Sequence, residues 1–261
     1  MRDPLKNLKF GPINIASSLL ATIVRTGTGI SSKLAVLKPE IPLMLFDMEG
    51  CPHCRLVREA LTELDLDAEI YPCPKQGARY RTLVLEKGGK AQFPFLIDPN
   101  TGAQMYESLD IVKYLFETYG QRPLPLKWQL GPLQRMGSIM ASSARPGLGI
   151  TKKASRAPEL LLELYSFESS PYARIVRECL CELEIAYTLR NCGRTELAEW
   201  LLPPVRDALN IVPSSELINR QVLQQKSGRM AIPYLLDPNE NIAMFESAKI
   251  VKYLEATYAA D

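Results

Sequence analysis

A chain of 261 residues with 46% apolar content can bury two cores of ordinary size. Its 31 basic and 29 acidic residues leave a net charge of +2, with no Lys/Arg run, which argues against nucleic acid as a partner. Six cysteines are too few and too unevenly placed for a secreted disulfide scaffold, so a CxxC pair reads as redox chemistry in a reducing compartment.

Gly11-Pro12 opens an apolar run from Ile13 to Val24, short of the roughly 20 residues that span a membrane. The run leads into an RxGxGI turn at Arg25, Gly27, Gly29 and Ile30. The same pattern returns at Gly131-Pro132 and at Arg145, Gly147, Gly149 and Ile150. A cleavable address would not recur in mid-chain, so both segments are expected to be leading helices of the fold, with no transmembrane segment. An interfacial amphipathic role is the alternative.

Pro42 to Asp47 reads as a buried strand, and after Cys51-Pro52-His53-Cys54 the residues Leu56, Val57, Ala60, Leu61 and Leu64 recur at helical spacing. Ala68 to Cys73 is a second strand, and Arg79 to Glu86 a helix ended by Gly88-Gly89. Pro94 to Ile97 is a third strand turned at DPNTG, followed by a short strand at Gln104 to Tyr106. A helix carrying Ile111, Val112 and Leu115 closes the unit. The connector Gln121 to Leu130 holds Pro123 and Pro125, which predict an extended path.

The whole set then repeats. YESLDIVKYLFETYG from Tyr106 returns as FESAKIVKYLEATYA from Phe245, and FPFLIDPN from Phe93 returns as IPYLLDPN from Ile232. MEGCPHCRLVREAL from Met48 lies over FESSPYARIVRECL from Phe167, so Cys51, His53 and Cys54 face Ser170, Tyr172 and Ala173. The second set of elements falls at Leu161 to Tyr165, Pro171 to Leu183, Tyr187 to Asn191, Ile218 to Gln225, Pro233 to Leu236 and Glu246 to Tyr258. About 20 extra residues between Arg194 and Pro213 are expected to form a surface excursion. The fold class expected is α/β: two tandem thioredoxin-fold domains of order β-α-β-α-β-β-α, each preceded by a short helical segment. Residues 1–122 form the domain with the CPHC motif, and residues 131–261 the domain with SSPY in its place.

Cys51 is expected at the mouth of a helix that begins at Pro52, where free amides and the helix dipole favour negative charge. Such cysteines fall from a pKa near 8.5 to roughly 3.5 to 7.5, so Cys51 reads as the nucleophile. Cys54, one turn on, reads as the resolving thiol, and His53 as a possible positive charge beside the sulfur. A zinc site or a structural cysteine pair is the alternative. No second CxxC or HxxxH completes a zinc set, so no metal is expected. Cys73 and Cys192 share one position at the end of the second strand, which favours a packing reason. Cys179 reads as a small buried hydrophobe.

Each half resembles the glutaredoxin-like, N-terminal domain of glutathione transferases, and the first carries a glutaredoxin-type CPxC. The similarity covers roughly Pro42 to Tyr119 and Leu160 to Tyr258. It implies glutathione as co-substrate, and glutathione or protein disulfides as partners. It also implies cis-prolines at Phe93-Pro94 and Ile232-Pro233, where the backbone of Phe93 would pair with the cysteinyl part of glutathione. Strand-start prolines are the alternative. Glu107-Ser108 and Glu246-Ser247 match the pair that takes the γ-glutamyl end, with plain helix caps as the alternative. Ser170 resembles the serine of Ser-type transferases; the second repeat, with Tyr172, Ile232, Pro233, Glu246 and Ser247, is left with binding, glutathione activation or a structural role. The helical domain that normally follows is missing, which argues against ordinary transferase activity. Asp47, Met48 and Glu49 also stand where glutaredoxins often place a Lys.

The expected function is therefore a glutathione-linked thiol-disulfide oxidoreductase. The alternatives are a non-redox glutathione- or peptide-binding module and, below it, a Ser-type transferase. The expected location is cytoplasmic, with the plastid stroma as the alternative.

Overall fold

The computed structural model describes residues 12–25, 27–195, 208–209 and 215–260. The expected excursion between Arg194 and Pro213 falls largely outside them.

The first repeat is β1 (Leu43–Asp47), α2 (Pro52–Glu63), β2 (Ala68–Pro72), α3 (Arg81–Gly88), β3 (Phe95–Asp98), β4 (Ala103–Met105) and α4 (Ser108–Thr118), with α1 (Pro12–Val24) ahead of it. The second repeat is β5 (Leu162–Ser166), α7 (Pro171–Glu182), β6 (Tyr187–Asn191), α8 (Ile218–Ser227), β7 (Tyr234–Asp237), β8 (Ile242–Phe245) and α9 (Ser247–Tyr258), preceded by α6 (Gly131–Ser143). The α/β fold of two thioredoxin-type repeats, each led by a helix, is thus present. Between the repeats the chain is not fully extended. Leu126–Gln129 form one helical turn, α5, because Trp128 is buried and its Nε1 donates to Glu63 Oε2 at 3.0 Å.

Among the described residues, eight strands join one sheet in the order β4-β3-β1-β2-β6-β5-β7-β8. Within each repeat the first two strands are parallel, and the third and fourth add antiparallel. The repeats meet through β2 and β6, which pair antiparallel with Glu69 opposite Thr188. Those two residues occupy the same place in their repeats, so a pseudo-twofold axis passes through that pair. One apolar cluster, including Leu43, Leu45, Leu61, Leu162, Leu164 and Leu180, runs unbroken across the junction. Far from the junction, α4 and α9 are pinned in the same way. Tyr114 and Tyr119 donate to Asp98 Oδ2, and Tyr253 and Tyr258 donate to Asp237 Oδ2.

The leading helices cross over. α1 lies on α7 of the second repeat, with Ser18 Oγ donating to Pro171 O at 2.8 Å and Thr22 Oγ1 to Ser169 O at 2.8 Å. α6 lies on α2 of the first repeat, with Ser138 Oγ donating to Pro52 O at 2.6 Å. After each helix the RxGxGI turn carries the chain further across: Ser169 N donates to Gly29 O, and Gly50 N to Gly149 O. Gly29 and Gly149 both take left-handed φ, 78° and 63°, which side chains other than glycine rarely adopt. The arginine that opens each turn reaches back to its own repeat, Arg25 to Glu59 and Arg145 to Glu178.

This crossing explains why α2 is buried all round from Cys54 to Thr62. Its apolar face meets the sheet, while its charged face meets the other repeat. Arg58 Nε donates to Glu168 Oε2 at 2.9 Å, and its counterpart Arg177 donates to both oxygens of Glu49. Burial works against ionising Glu168, yet Arg177, Arg58 and Arg55 together hold it down at about 2.

Candidate functional site

The sequence motifs converge at the C-terminal end of β1. The chain leaves β1 at Asp47, and a turn closed by Cys51 N to Met48 O at 2.9 Å sets Cys51 as the N-cap of α2, with extended φ and ψ of −76° and 125°. Pro52 fits the first helical position because the amide it lacks would have had no helical partner. Phe46 pairs with Phe95, so one further antiparallel step brings Pro94 beside Asp47. Leu96 pairs with Met105, so two further steps bring Glu107 level with Pro94. Three neighbouring strands thus deliver Cys51, Phe93-Pro94 and Glu107-Ser108 to one end of the sheet. Gln92 Nε2 ties the last two together by donating to Glu107 Oε1 at 2.6 Å.

The two thiols of the CPHC motif differ sharply. Cys54 donates a hydrogen bond to the Cys51 sulfur, which lowers Cys51 to about 7 against the opposing effect of burial. The amides of Cys54 and His53 and the charge of Arg58 act in the same direction. Cys54 is pushed well above the ordinary thiol range, by burial first and then by its bond to Cys51. His53 points outward and is exposed, and Pro52 is half-buried.

Access is tighter than the motif suggests. Cys51 is 9% exposed. α6 covers the first turn of α2 through Ser138, and the turn before Cys51 is pressed against the second repeat. A Cβ on Gly50 would come within 2.5 Å of Ile150 Cγ1 and 2.7 Å of Leu148 O, so only glycine fits there.

Both Phe93-Pro94 and Ile232-Pro233 are cis. Phe93 is half-buried, and the Arg81 guanidinium stacks 4.7 Å from its ring centre while donating to Cys73 O at 3.1 Å. Glu107 and Glu246 stand at the N-caps of α4 and α9, yet neither side chain caps its helix. Both have positive φ, 65° and 71°, which is uncommon for a residue with a side chain and recurs at ligand sites. Glu107 is exposed beside buried Ser108. Glu246 is exposed, accepting from Lys249 at 3.0 Å, beside half-buried Ser247.

The equivalent end of the second repeat lies at the opposite end of the sheet, because β2 and β6 run antiparallel. There Ser170 is 2% exposed beneath α1, and its hydroxyl accepts from Ala173 N at 3.3 Å, capping α7. Ile232 is half-buried, Pro233 buried and Tyr172 exposed.

All six cysteines are free and buried. Cys73 N and Cys192 N donate to Asp47 O and Ser166 O, the same backbone bond in both repeats. Cys181 takes the part that Thr62 plays in the other repeat. Glu49 N donates to the Cys181 sulfur, and Glu168 N donates to Thr62 Oγ1.

Three residues of the first site carried no motif. Arg58 acts on Cys51, Arg81 faces Phe93, and Asp47 accepts from Cys73 N through its backbone carbonyl and from Arg58 Nη1 through its carboxylate. Burial raises Asp47 to about 6 despite Arg58. The one available signal was the charged triad Arg55, Arg58, Glu59, returning as Arg174, Arg177, Glu178. A solvated helix face has little reason to keep such a triad in register in both copies.

Among the described residues, no group of three or more His, Cys, Asp or Glu side chains could hold a metal ion, and no helix is long and apolar enough to cross a membrane. Neither the curated proteins nor the solved structures contain a match to this chain. A family model does match, over residues 45–123 and 164–261, one segment in each repeat. With its CPHC or SSPY loop, cis-proline and Glu-Ser pair held on a thioredoxin-type sheet in each repeat, the chain belongs to the family of glutathione S-transferase N-terminal domains.

Proposed function

We propose that the chain is a glutathione-linked thiol-disulfide oxidoreductase working through Cys51 and Cys54. The observation that carries this reading is the split between the two thiols, with Cys51 at about 7 and Cys54 far above it. A pair poised this way supplies one thiolate near neutral pH and keeps the other as its proton-bearing partner.

The Cys51 thiolate attacks one sulfur of a disulfide substrate. A Cys51–S bond forms, the substrate S–S bond breaks, and the departing thiolate takes up a proton. Cys54 then loses its proton and attacks the Cys51 sulfur, releasing the second substrate thiol and leaving a Cys51–Cys54 disulfide. Two molecules of glutathione reduce that disulfide and leave as glutathione disulfide, so two electrons pass from glutathione to substrate. Phe93 offers its backbone to an extended thiol peptide, Glu107 offers a carboxylate to an amino group, and Arg81 is a cation at hand for a carboxylate. The 9% exposure of Cys51 makes entry past α6 part of each turnover.

The test is reduction of a mixed or small disulfide by glutathione. Cys51→Ser abolishes turnover on this reading, and an undiminished rate would remove the assignment. The same burial of Cys51 favours a second reading, a non-redox binding module. Partner capture that is indifferent both to Cys51→Ser and to reductant would support it instead.

A further inference from the structure

Six arginines lie buried between the repeats: Arg25, Arg55, Arg58, Arg145, Arg174 and Arg177. Five buried carboxylates face them, Asp47, Glu49, Glu59, Glu168 and Glu178, while Glu182 and Glu184 pair with Lys153 and Lys152. This core is short of one negative charge, and the shortage can be traced to one side chain.

Three of the arginines grip a carboxylate with the same edge of the guanidinium, the one formed by Nε and Nη2. Arg25 holds Glu59 at 2.7 and 2.5 Å, Arg145 holds Glu178 at 2.6 and 2.6 Å, and Arg177 holds Glu49 at 3.1 and 3.0 Å. The two N–H bonds on that edge run parallel, so it fits two oxygens of one anion. In Arg174 the edge has no partner: Nε and Nη2 are both buried and unbonded. Only Nη1 is engaged, with Ser18 O at 2.6 Å and Ser18 Oγ at 3.2 Å.

Its counterpart Arg55 is also under-used. Arg55 Nε is buried and unbonded, Nη1 comes no nearer than 3.5 Å to Glu168, and Nη2 donates to Ser142 Oγ at 3.3 Å. Burial, and next the charge of Arg55, lowers Arg174 to about 9, with Arg177 acting in the same direction and Glu168 and Glu49 opposing it. Buried guanidinium donors in folded proteins nearly always have partners.

We propose that the Nε–Nη2 edge of Arg174, with Arg55 as the neighbouring cation, is a binding site for one small oxyanion of the sulfate, phosphate or carboxylate class. Such an ion gives the edge the two oxygens its three relatives already hold and offsets the excess positive charge of the buried core. Ser18 of α1 is bonded to both Arg174 and Pro171, so the bound anion also tightens the seat of α1 over the Ser169-Ser170 turn.

Calorimetric titration of the full chain with sodium sulfate, sodium phosphate or sodium acetate, against chloride at matched ionic strength, is expected to show one saturable oxyanion site. The order of the three affinities identifies the preferred shape. Arg174→Lys keeps the charge but loses the paired edge, so its affinity is expected to fall at least tenfold, and Arg174→Met is expected to lose the site. Crystals of the unaltered chain grown with selenate are expected to show a selenium anomalous peak within hydrogen-bonding reach of Arg174 Nε and Nη2, a result that depends on no variant folding. Absence of saturable binding by the unaltered chain, equal binding by the Lys and Met variants, or selenium peaks confined to other places would overturn the proposal.

Discussion

The two ends of the sheet were built to one plan and have diverged at the atom that matters. In the first repeat the N-cap of the long helix is Cys51, whose sulfur collects hydrogen bonds from Cys54 and two amides. In the second it is Ser170, whose hydroxyl merely caps its own helix. Beneath them, Asp47 faces Arg58 where the second repeat has Ser166 facing Arg177. The cis-proline, the positive-φ glutamate and the covering helix are shared. A shared scaffold therefore does not by itself make a thiol site. The proposed reactivity rests on a thiol at the helix mouth, a second thiol one turn away and a buried cation.

The sharpest break of this comparison is Cys51→Ser, which makes the first helix mouth resemble the second. Glutathione-dependent disulfide reduction is expected to drop to background, with Cys179→Ala as a control of unchanged rate. Asp47→Ser removes the next difference. Asp47 holds its proton more tightly in the fold than in the unfolded chain, so its contribution to stability is full below its ordinary pKa of 3.8 and is lost as pH rises through about 6. That loss amounts to about 3 kcal/mol, so urea unfolding at stepped pH should show a shallower fall in Asp47→Ser than in the parent chain, with Asp65, which burial also raises to about 6, leaving a fall in both.

Cys54→Ala takes away the strongest hydrogen bond to the Cys51 sulfur. The Cys51 pKa, followed by thiolate absorbance, is expected to climb from about 7 toward the ordinary thiol value, shifting the rise of alkylation rate with pH to more alkaline conditions. An unmoved pKa would mean that the helix amides and Arg58 suffice. The smallest effect concerns the covers. Ser138→Ala removes one hydrogen bond that seats a crossed helix, and Ser18→Ala removes its bond to Pro171 O and the one it accepts from Arg174 Nη1, each bond worth about 1 kcal/mol in thermal or urea unfolding. Only Ser138→Ala is expected to speed alkylation of Cys51, because only α6 lies over that turn.

Most of the fold could be read from the residues. A buried apolar run and helical spacing located β1, α2 and their counterparts within a residue or two, and the repeat served as an internal check. The assembly of the first site was legible as well, since CPHC, Phe93-Pro94 and Glu107-Ser108 are local motifs that the strand register then gathers. Two features were hidden for physical reasons. The apolar face of α1 requires burial but does not specify which repeat supplies the surface, and the duplicated sequence offers two equivalent ones. The burial of Arg55, Arg58 and Glu59 was hidden because arginine and glutamate seldom go fully inside unless paired, and Glu168, the partner that Arg55 and Arg58 share, lies more than 100 residues away. Trp128 misled for a simpler reason. Prolines argued for an extended connector, and one buried indole outweighed them.

The exchange of leading helices has a consequence for how such a molecule comes to exist. A lone repeat would present β2 as a bare edge, half of an ionic cluster without its counter-charges, and a helix mouth with no cover. Two identical units would satisfy one another as a swapped homodimer. Fusing them replaces a concentration-dependent encounter with an intramolecular one. The fusion also lifts the requirement that both halves stay alike, which is the freedom that lets one half keep cysteine while the other settles for serine.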